Sequence, residues 1–206
     1  MIFKKHPSNE SQEWYIFVGL GNPGREYEYT RHNIGFSAIQ RLAERWSIDI
    51  GRYKFKALTG VGTVADKRVA LVMPQTYMNN SGTAVGSFVN FYKIDLAHLV
   101  VINDDMDLPF GNIRIRKAGG SAGQRGMQSI IKRLGSEEFP RMRLGIGRPP
   151  GRMDPKDYVL KKFKGDEEII LDQVLDTCSD ALEIYLEQGI EKAMTLFNGS
   201  VLNDDE

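Results

Sequence analysis

Apolar residues along this chain fall into two rhythms. Residues 14–18 form an unbroken apolar run of strand length, closed by Gly19-Leu-Gly-Asn-Pro-Gly24, and such a run stopped by turn residues reads as a buried strand. Over residues 34–46 the period changes, and Gly35, Ile39, Leu42 and Trp46 fall on one helical face. Residues 58–64 and 68–73 predict two strands joined by the polar turn Ala65-Asp66-Lys67. A helix over 84–92 is expected to bury Ala84, Phe88 and Phe91. Further strands are expected at 99–103, 113–116 and 142–146. Met127, Ile130, Ile131 and Leu134 mark a helix between the last two. Leu171, Val174, Leu175, Cys178, Leu182 and Tyr185 predict a long final helix, followed by a short one near Ile190–Phe197. Strands alternating with helices predict an α/β protein: a single-domain sandwich with a central mixed, mostly parallel sheet flanked by helices. Residues 1–13 are polar and aperiodic and are expected to be a loose leader to a domain spanning 14–206.

Composition bounds the class. The chain has 206 residues, enough for one substantial core and short of two comfortable ones. No apolar run is long enough to cross a membrane, and the start lacks the apolar segment of a secretion signal, so a cytoplasmic protein is expected. The lone cysteine, Cys178, forbids an internal disulfide and lies on the apolar stripe of its helix, which makes it a core residue.

The net charge of zero conceals a separation. Residues 113–164 carry fourteen Lys and Arg against four Asp and Glu, whereas residues 165–206 carry one against twelve. The basic middle is suited to a phosphate backbone, unless the acidic end packs beside it and cancels it. Sequence leaves both arrangements open.

Three motifs are deceptive. Gly19-x-Gly21-x-x-Gly24 has the dinucleotide spacing, but Pro23 and residues 25–31 intervene before helical periodicity begins. A pyrophosphate site needs the helix to start inside the glycine loop. No acidic residue closes a second strand about 20 residues on. Gly119-Gly-Ser121-Ala-Gly123 copies a serine-hydrolase elbow, yet His6, His32 and His98 all precede the serine, against the chain order of that fold. Three scattered histidines and one core cysteine offer no metal-ligand spacing. No cofactor and no metal are expected.

The polar residues that follow the strands make a better set. Asn22 and then Thr30-Arg31-His32-Asn33 come after the first strand, and Thr76-Tyr77-Met78-Asn79-Asn80-Ser81-Gly82 comes after residue 73. Asn103-Asp104-Asp105-Met106-Asp107 comes after residue 102. Ligands of α/β sheets collect outside the strand ends, so the three loops are expected to converge on one site. One histidine, a carboxylate and several amides suit hydrolysis: His32 as base toward water, an aspartate fixing its tautomer, amides for the developing oxyanion. Which of Asp104, Asp105 and Asp107 faces His32 is open, and Asn33 or Asn79 alone would pass as an ordinary helix cap.

Gly19-Leu-Gly-Asn-Pro-Gly24, Tyr27-x-x-Thr30-Arg-His-Asn33-x-Gly35-Phe36, Tyr77-Met-Asn79-x-Ser-Gly82 and Asp104-x-x-Asp107-Leu-Pro109-x-Gly111 together resemble the bacterial-type peptidyl-tRNA hydrolases. Glu138-Phe-Pro-Arg141, Gly145-Ile-Gly-Arg-Pro149 and Tyr158-Val-Leu160 continue the likeness in order. The resemblance implies a metal-free monomer that hydrolyses peptidyl-tRNA from stalled or aborted translation, with no membrane and no obligate protein partner. His32 would be the catalytic base and Asp104 its orienting partner. Asn22 and Asn79 would hold water, ester and peptide main chain, and Tyr27 would border the tRNA end or the ester. Where that family usually has His-Asn, this chain has Gln124-Arg125. Gln124 keeps hydrogen-bonding capacity, and Arg125 is expected to reach phosphates of the acceptor end. Four glycines at 119, 120, 123 and 126 make the loop before it a candidate lid. The alternative is a catalytically weak relative that binds structured RNA as an assembly or splicing factor, supported only by the altered loop.

Overall fold

The computed structural model describes residues 13–202; the expected leader, apart from Glu13, lies outside them. Strands β1 (Trp14–Gly19), β2 (Arg52–Lys54), β3 (Ala57–Val64), β4 (Lys67–Pro74), β5 (Leu99–Asp105), β6 (Asn112–Arg116), β7 (Arg141–Gly145) and β8 (Gly199–Ser200) form one sheet in the order β2-β3-β4-β1-β5-β7-β6-β8. The central four, β4-β1-β5-β7, run parallel, and antiparallel strands extend the sheet on both margins. This is the mixed, centrally parallel α/β architecture that the alternating pattern predicts.

Helices α1 (Ile34–Arg45), α5 (Asp166–Gln188) and α6 (Ile190–Phe197) belong to the core on one face, with Phe17, Ile39, Leu71, Ile102 and Leu182 buried among them. On the other face α2 (Ser81–Tyr92) and α3 (Arg125–Leu134) cover Ile16, Val18, Val72 and Val101. Cys178 is fully buried in the first core, where burial pushes its thiol up to about 12 and leaves it inert.

The glycines of the first loop work by closeness. A Cβ on Gly19 would lie 2.1 Å from the carbonyl oxygen of Gly35, and one on Gly35 would lie 2.5 Å from the amide nitrogen of Leu20. The start of α1 is thus pressed against the end of β1, which carries the preceding turn of 3-10 helix, Arg31–Asn33, to the strand ends.

Three outcomes depart from the expectation. β2, β8 and the short helix α4 (Pro155–Val159) had no signal: each is brief and lacks an apolar period. α2 begins three residues earlier than expected, at Ser81. Phe91, expected in the core, is 58% exposed. It stands near the margin of the sheet, against Phe55 and Tyr92, where the edge strand β2 offers it only the Lys54 ammonium, 3.7 Å from its ring centroid.

The acidic end settles mainly on the first third of the chain. Arg41 pairs with Asp172 and Asp176, Arg45 with Asp180 and Glu183, and Arg31 with Glu167. Of the basic middle, only Lys117 pairs with that segment among the described residues, through Glu191. Most of the middle keeps its charge for other uses.

Gly35→Ala should lower stability despite the better helix propensity of alanine. The atoms a methyl would strike are backbone and cannot turn aside, so a loss of about 1–3 kcal/mol is expected. Urea denaturation followed by circular dichroism measures it; an unchanged midpoint would contradict the packing described.

Candidate active site

The loops after β1, β4 and β5 and the glycine-rich loop before α3 open into one cleft of about 960 Å³. Asn22, His32, Tyr77, Met78, Asn79, Asp104, Gln124 and Arg125 all line it. The convergence expected of these loops is what the fold produces. Tyr27 is the exception: it ends a separate turn of 3-10 helix, Arg25–Tyr27, and is not among the lining residues.

At the centre, His32 Nδ1 lies 2.7 Å from Asp104 Oδ2. A carboxylate can only accept here, so Nδ1 carries the proton and neutral His32 keeps its lone pair on Nε2. That nitrogen has no hydrogen-bond partner among the described residues. Asp104 is therefore the aspartate that faces the histidine. Asp105 instead pairs with Arg143 and accepts from the amide of Asp107 at 2.8 Å. Asp107 pairs with Arg148 at 2.5 Å.

Burial works to lower the basicity of His32, but the charge of Asp104 and its hydrogen bond outweigh burial and leave the pKa raised above 6.5. The Arg125 cation opposes them. The charge of Arg125 thus reaches the histidine, whereas its side chain is exposed at the cleft and forms no ion pair among the described residues.

The amides divide their work. Asn33 is a strut: its Oδ1 accepts from the Asn22 amide and its Nδ2 donates to the Asn22 carbonyl, both at 2.9 Å. It makes no side-chain cap for α1. Asn22 Oδ1 accepts from the Met78 amide at 2.8 Å, which ties the first loop to the one after β4. The Nδ2 donors of Asn22 remain for the cleft. Asn79 lines the cleft with no side-chain hydrogen bond among the described residues, and it is no cap either, since Asn80 occupies that position.

Gln124 uses both ends of its amide. Oε1 caps α3 by accepting from Met127 at 2.8 Å, and Nε2 donates to Asp104 Oδ1 at 3.1 Å. Each oxygen of Asp104 thus has its own partner. The loop before it is tied at one end, because buried Arg141 donates to the carbonyls of Gly119 and Gly120. The stretch left for a lid narrows to Ser121–Gly123, where a Cβ on Gly123 would meet nothing within 4 Å.

Three residues had been named only as members of motifs, without a role of their own. Arg31 is buried beside His32, donates to the carbonyl of Lys162 at 2.7 Å and lies over the rings of Tyr158 and Phe163. It bolts the histidine turn to the segment after α4, which forms another wall of the cleft. Arg141 anchors the glycine loop as above. Asn103 lies in the lining with a buried Oδ1 that has no partner among the described residues. Residue type gave no warning, because each is identified only by what it touches. Among the described residues, no three His, Cys, Asp or Glu side chains converge as metal ligands, and no helix is long and apolar enough to cross a membrane.

Fold and site together define a class: an α/β protein with a carboxylate-bound histidine in a cleft at the ends of its parallel strands, walled on one side by cations. Comparison with known proteins makes the class particular. The peptidyl-tRNA hydrolase family profile matches residues 16–205, and the chain belongs to that family. It is 53% identical over 184 residues to the peptidyl-tRNA hydrolase of Carboxydothermus hydrogenoformans, covering 89% of this chain and 98% of that one. It is 50% identical over 185 residues to that of a Thermoanaerobacter species, covering 90% and 100%. The crystal structure of peptidyl-tRNA hydrolase from Acinetobacter baumannii superposes with a TM-score of 0.86 at 33% identity, over 91% of this chain and 96% of that one.

The electrostatics of His32 can be read directly by following its imidazole resonances against pH. The midpoint should lie above 6.5. Asp104→Asn should move it down, because the partner that favours the imidazolium is gone, and Arg125→Ala should move it up, because an opposing cation is removed. Shifts of the opposite sign would contradict the geometry.

Proposed function

We infer that this protein hydrolyses the ester joining a peptide to the 3′ ribose of tRNA, returning free tRNA from stalled or aborted translation. The observation that carries the reading is the His32–Asp104 pair, open at Nε2, in a family member whose cleft is lined by the basic middle of the chain.

His32 Nε2 takes a proton from water, and the resulting hydroxide attacks the ester carbonyl. Asp104 holds the imidazole in the required tautomer and stabilises the imidazolium that forms. The oxyanion of the tetrahedral intermediate accepts from amide donors, and Asn22 Nδ2 is the group best prepared, its other end being fixed by Met78. Collapse breaks the bond to the ribose oxygen, which receives the proton from His32. Asn79 contacts the peptide main chain. Arg125 meets phosphate at the acceptor end, while Gln124 serves through Asp104. Tyr27, outside the cleft lining, is left to contact the RNA beyond the cleft. The reading places the enzyme in the cytoplasm as a monomer, and a lone buried thiol fits a reducing compartment. The assembly-factor alternative has only the altered Gln124-Arg125 loop in its favour, and the intact histidine–aspartate geometry speaks against it.

Incubation with N-acetylaminoacyl-tRNA should release free tRNA, and His32→Ala should slow that release by about 10² to 10⁴, the range for a general base. Activity within a few-fold of the parent would overturn the assignment. Arg125→Ala should weaken tRNA binding by about 1–3 kcal/mol, as for a hydrogen bond to a charged group, with the single-turnover rate at saturation unchanged. A fall in that rate at constant affinity would instead give Arg125 the task of positioning water.

A further inference from the structure

The turn that leads into His32 carries a residue the fold does not ask for. The Thr30 amide closes this turn by donating to the Tyr27 carbonyl at 3.1 Å, and the Thr30 hydroxyl donates to the same carbonyl at 2.8 Å. Glu28 at φ −58° and ψ 132°, followed by Tyr29 at φ 62°, gives it the type II form. The third residue of such a turn must enter the left-handed region and is ordinarily glycine or asparagine. A bulky side chain is strained there. Tyr29 gains little burial in return, since it is 65% exposed. Neither backbone preference nor packing explains a tyrosine at this position, and outliers of this kind collect where ligands bind.

The turn is tied to the far wall of the cleft. Thr30 forms an isolated antiparallel bridge with Lys162, and the Arg31 amide donates to the Lys161 carbonyl at 2.9 Å. Two residues inward along these segments stand His32 and Leu160, and both line the cleft. The bridge therefore leads from the cleft outward to Tyr29. There the Lys162 ammonium lies 5.7 Å from the centroid of the Tyr29 ring. Lys161, Lys162 and Lys164 are exposed, and none has an ion-pair partner among the described residues. Of the nearby acids, Glu167 is held by Arg31 and Glu26 folds back on Gly24. Glu28 is the exposed acid of the turn itself.

We propose that Tyr29 and Lys162 form a stacking site for an unpaired nucleotide of the tRNA 3′ end, the ring taking the base and the ammonium the adjoining phosphate. This rests on the tRNA substrate of the reading above. An aromatic face accepts any base, and a lysine serves phosphate as a point charge. The ammonium now sits close to the outer limit of about 6 Å for a cation over a ring, so moving to a phosphate forfeits little. A fixed platform also needs a constant partner. The peptide differs from one stalled chain to the next, whereas every tRNA brings the same unpaired end.

The test measures binding of uncharged tRNA, intact or lacking its last three nucleotides. Tyr29→Ala should weaken binding of intact tRNA by about five- to thirtyfold, the range for one stacked base, and leave the trimmed tRNA unchanged. Tyr29→Phe should match the parent on both. Lys162→Ala should flatten the salt dependence for intact tRNA by about one phosphate contact, which Tyr29→Ala should not do. Tyr29→Gly adopts the turn without strain, so His32 should titrate in it as in the parent while affinity for intact tRNA falls as in Tyr29→Ala. An equal loss on both RNAs would overturn the site, as would no loss on either. A loss confined to peptidyl-tRNA, growing with peptide length, would give the ring to the peptide and also overturn it. If the parent bound intact tRNA through Tyr29 yet released none from N-acetylaminoacyl-tRNA, the hydrolase reading would fall and the RNA site would stand.

Discussion

Helix α1 starts so close to the sheet that no side chain fits between them: a methyl on Gly19 or Gly35 would fall within 3 Å of backbone atoms. The rest of the site depends on this contact. A helix held off the sheet by intervening side chains would carry His32 away from the carboxylate on β5. Pressed down, the preceding turn brings Nδ1 to 2.7 Å from Asp104. The struts around it repeat the theme with polar atoms. Asn33 binds Asn22 from both ends, Asn22 binds Met78, and Arg31 binds the backbone after α4. Three chain segments distant in sequence are fixed to one another within a few residues of the histidine. A general base gains from such fixing because its work depends on orientation to a fraction of an ångström.

The separation of charge along the sequence has a related logic. Acidic side chains on α5 pair with arginines of α1 at the surface. Each such pair contributes little stability in high dielectric. Their greater consequence is where they put the negative charge, on the α1 side of the sheet, so that the arginines of β6, β7 and the glycine loop face the cleft without being neutralised by that helix.

Much of this was legible before the fold was known. Period-2 and period-3.6 patterns located most of the central elements because those segments bury one side against a core, and burial is what writes a period into sequence. The site loops were legible for another reason: polar residues at strand ends have little structural cause to accumulate, so Asn22, His32, Asn79 and Asp104 stood out together. β2 and α4 were not legible, since three and five residues cannot display a period. Phe91 obeys the helical spacing, but spacing says nothing about where a sheet ends. Arg31 and Arg141 escaped notice because a buried arginine is defined by carbonyls it meets far along the chain. Tyr27 entered through resemblance alone, and nothing in its surroundings brings it to the cleft.

The exchange of His-Asn for Gln124-Arg125 shows how a site can redistribute its tasks. The Gln124 amide is bidentate in effect, closing the first turn of α3 with one atom and holding Asp104 Oδ1 with the other. A carboxylate with both oxygens engaged cannot rotate to offer a different atom to His32, so Gln124 fixes the histidine through Asp104. Doing so consumes its polar atoms, and the adjacent position is then the one free to face the ligand. An arginine there cannot accept a hydrogen bond from water, as an asparagine could. It supplies a permanent cation that holds down the basicity of His32 and, in the function proposed above, draws phosphate to the cleft. The two effects pull against each other only while the cleft is empty. A phosphate on Arg125 screens its charge from the imidazole, so binding of the RNA should itself raise the affinity of His32 for the proton it must take from water.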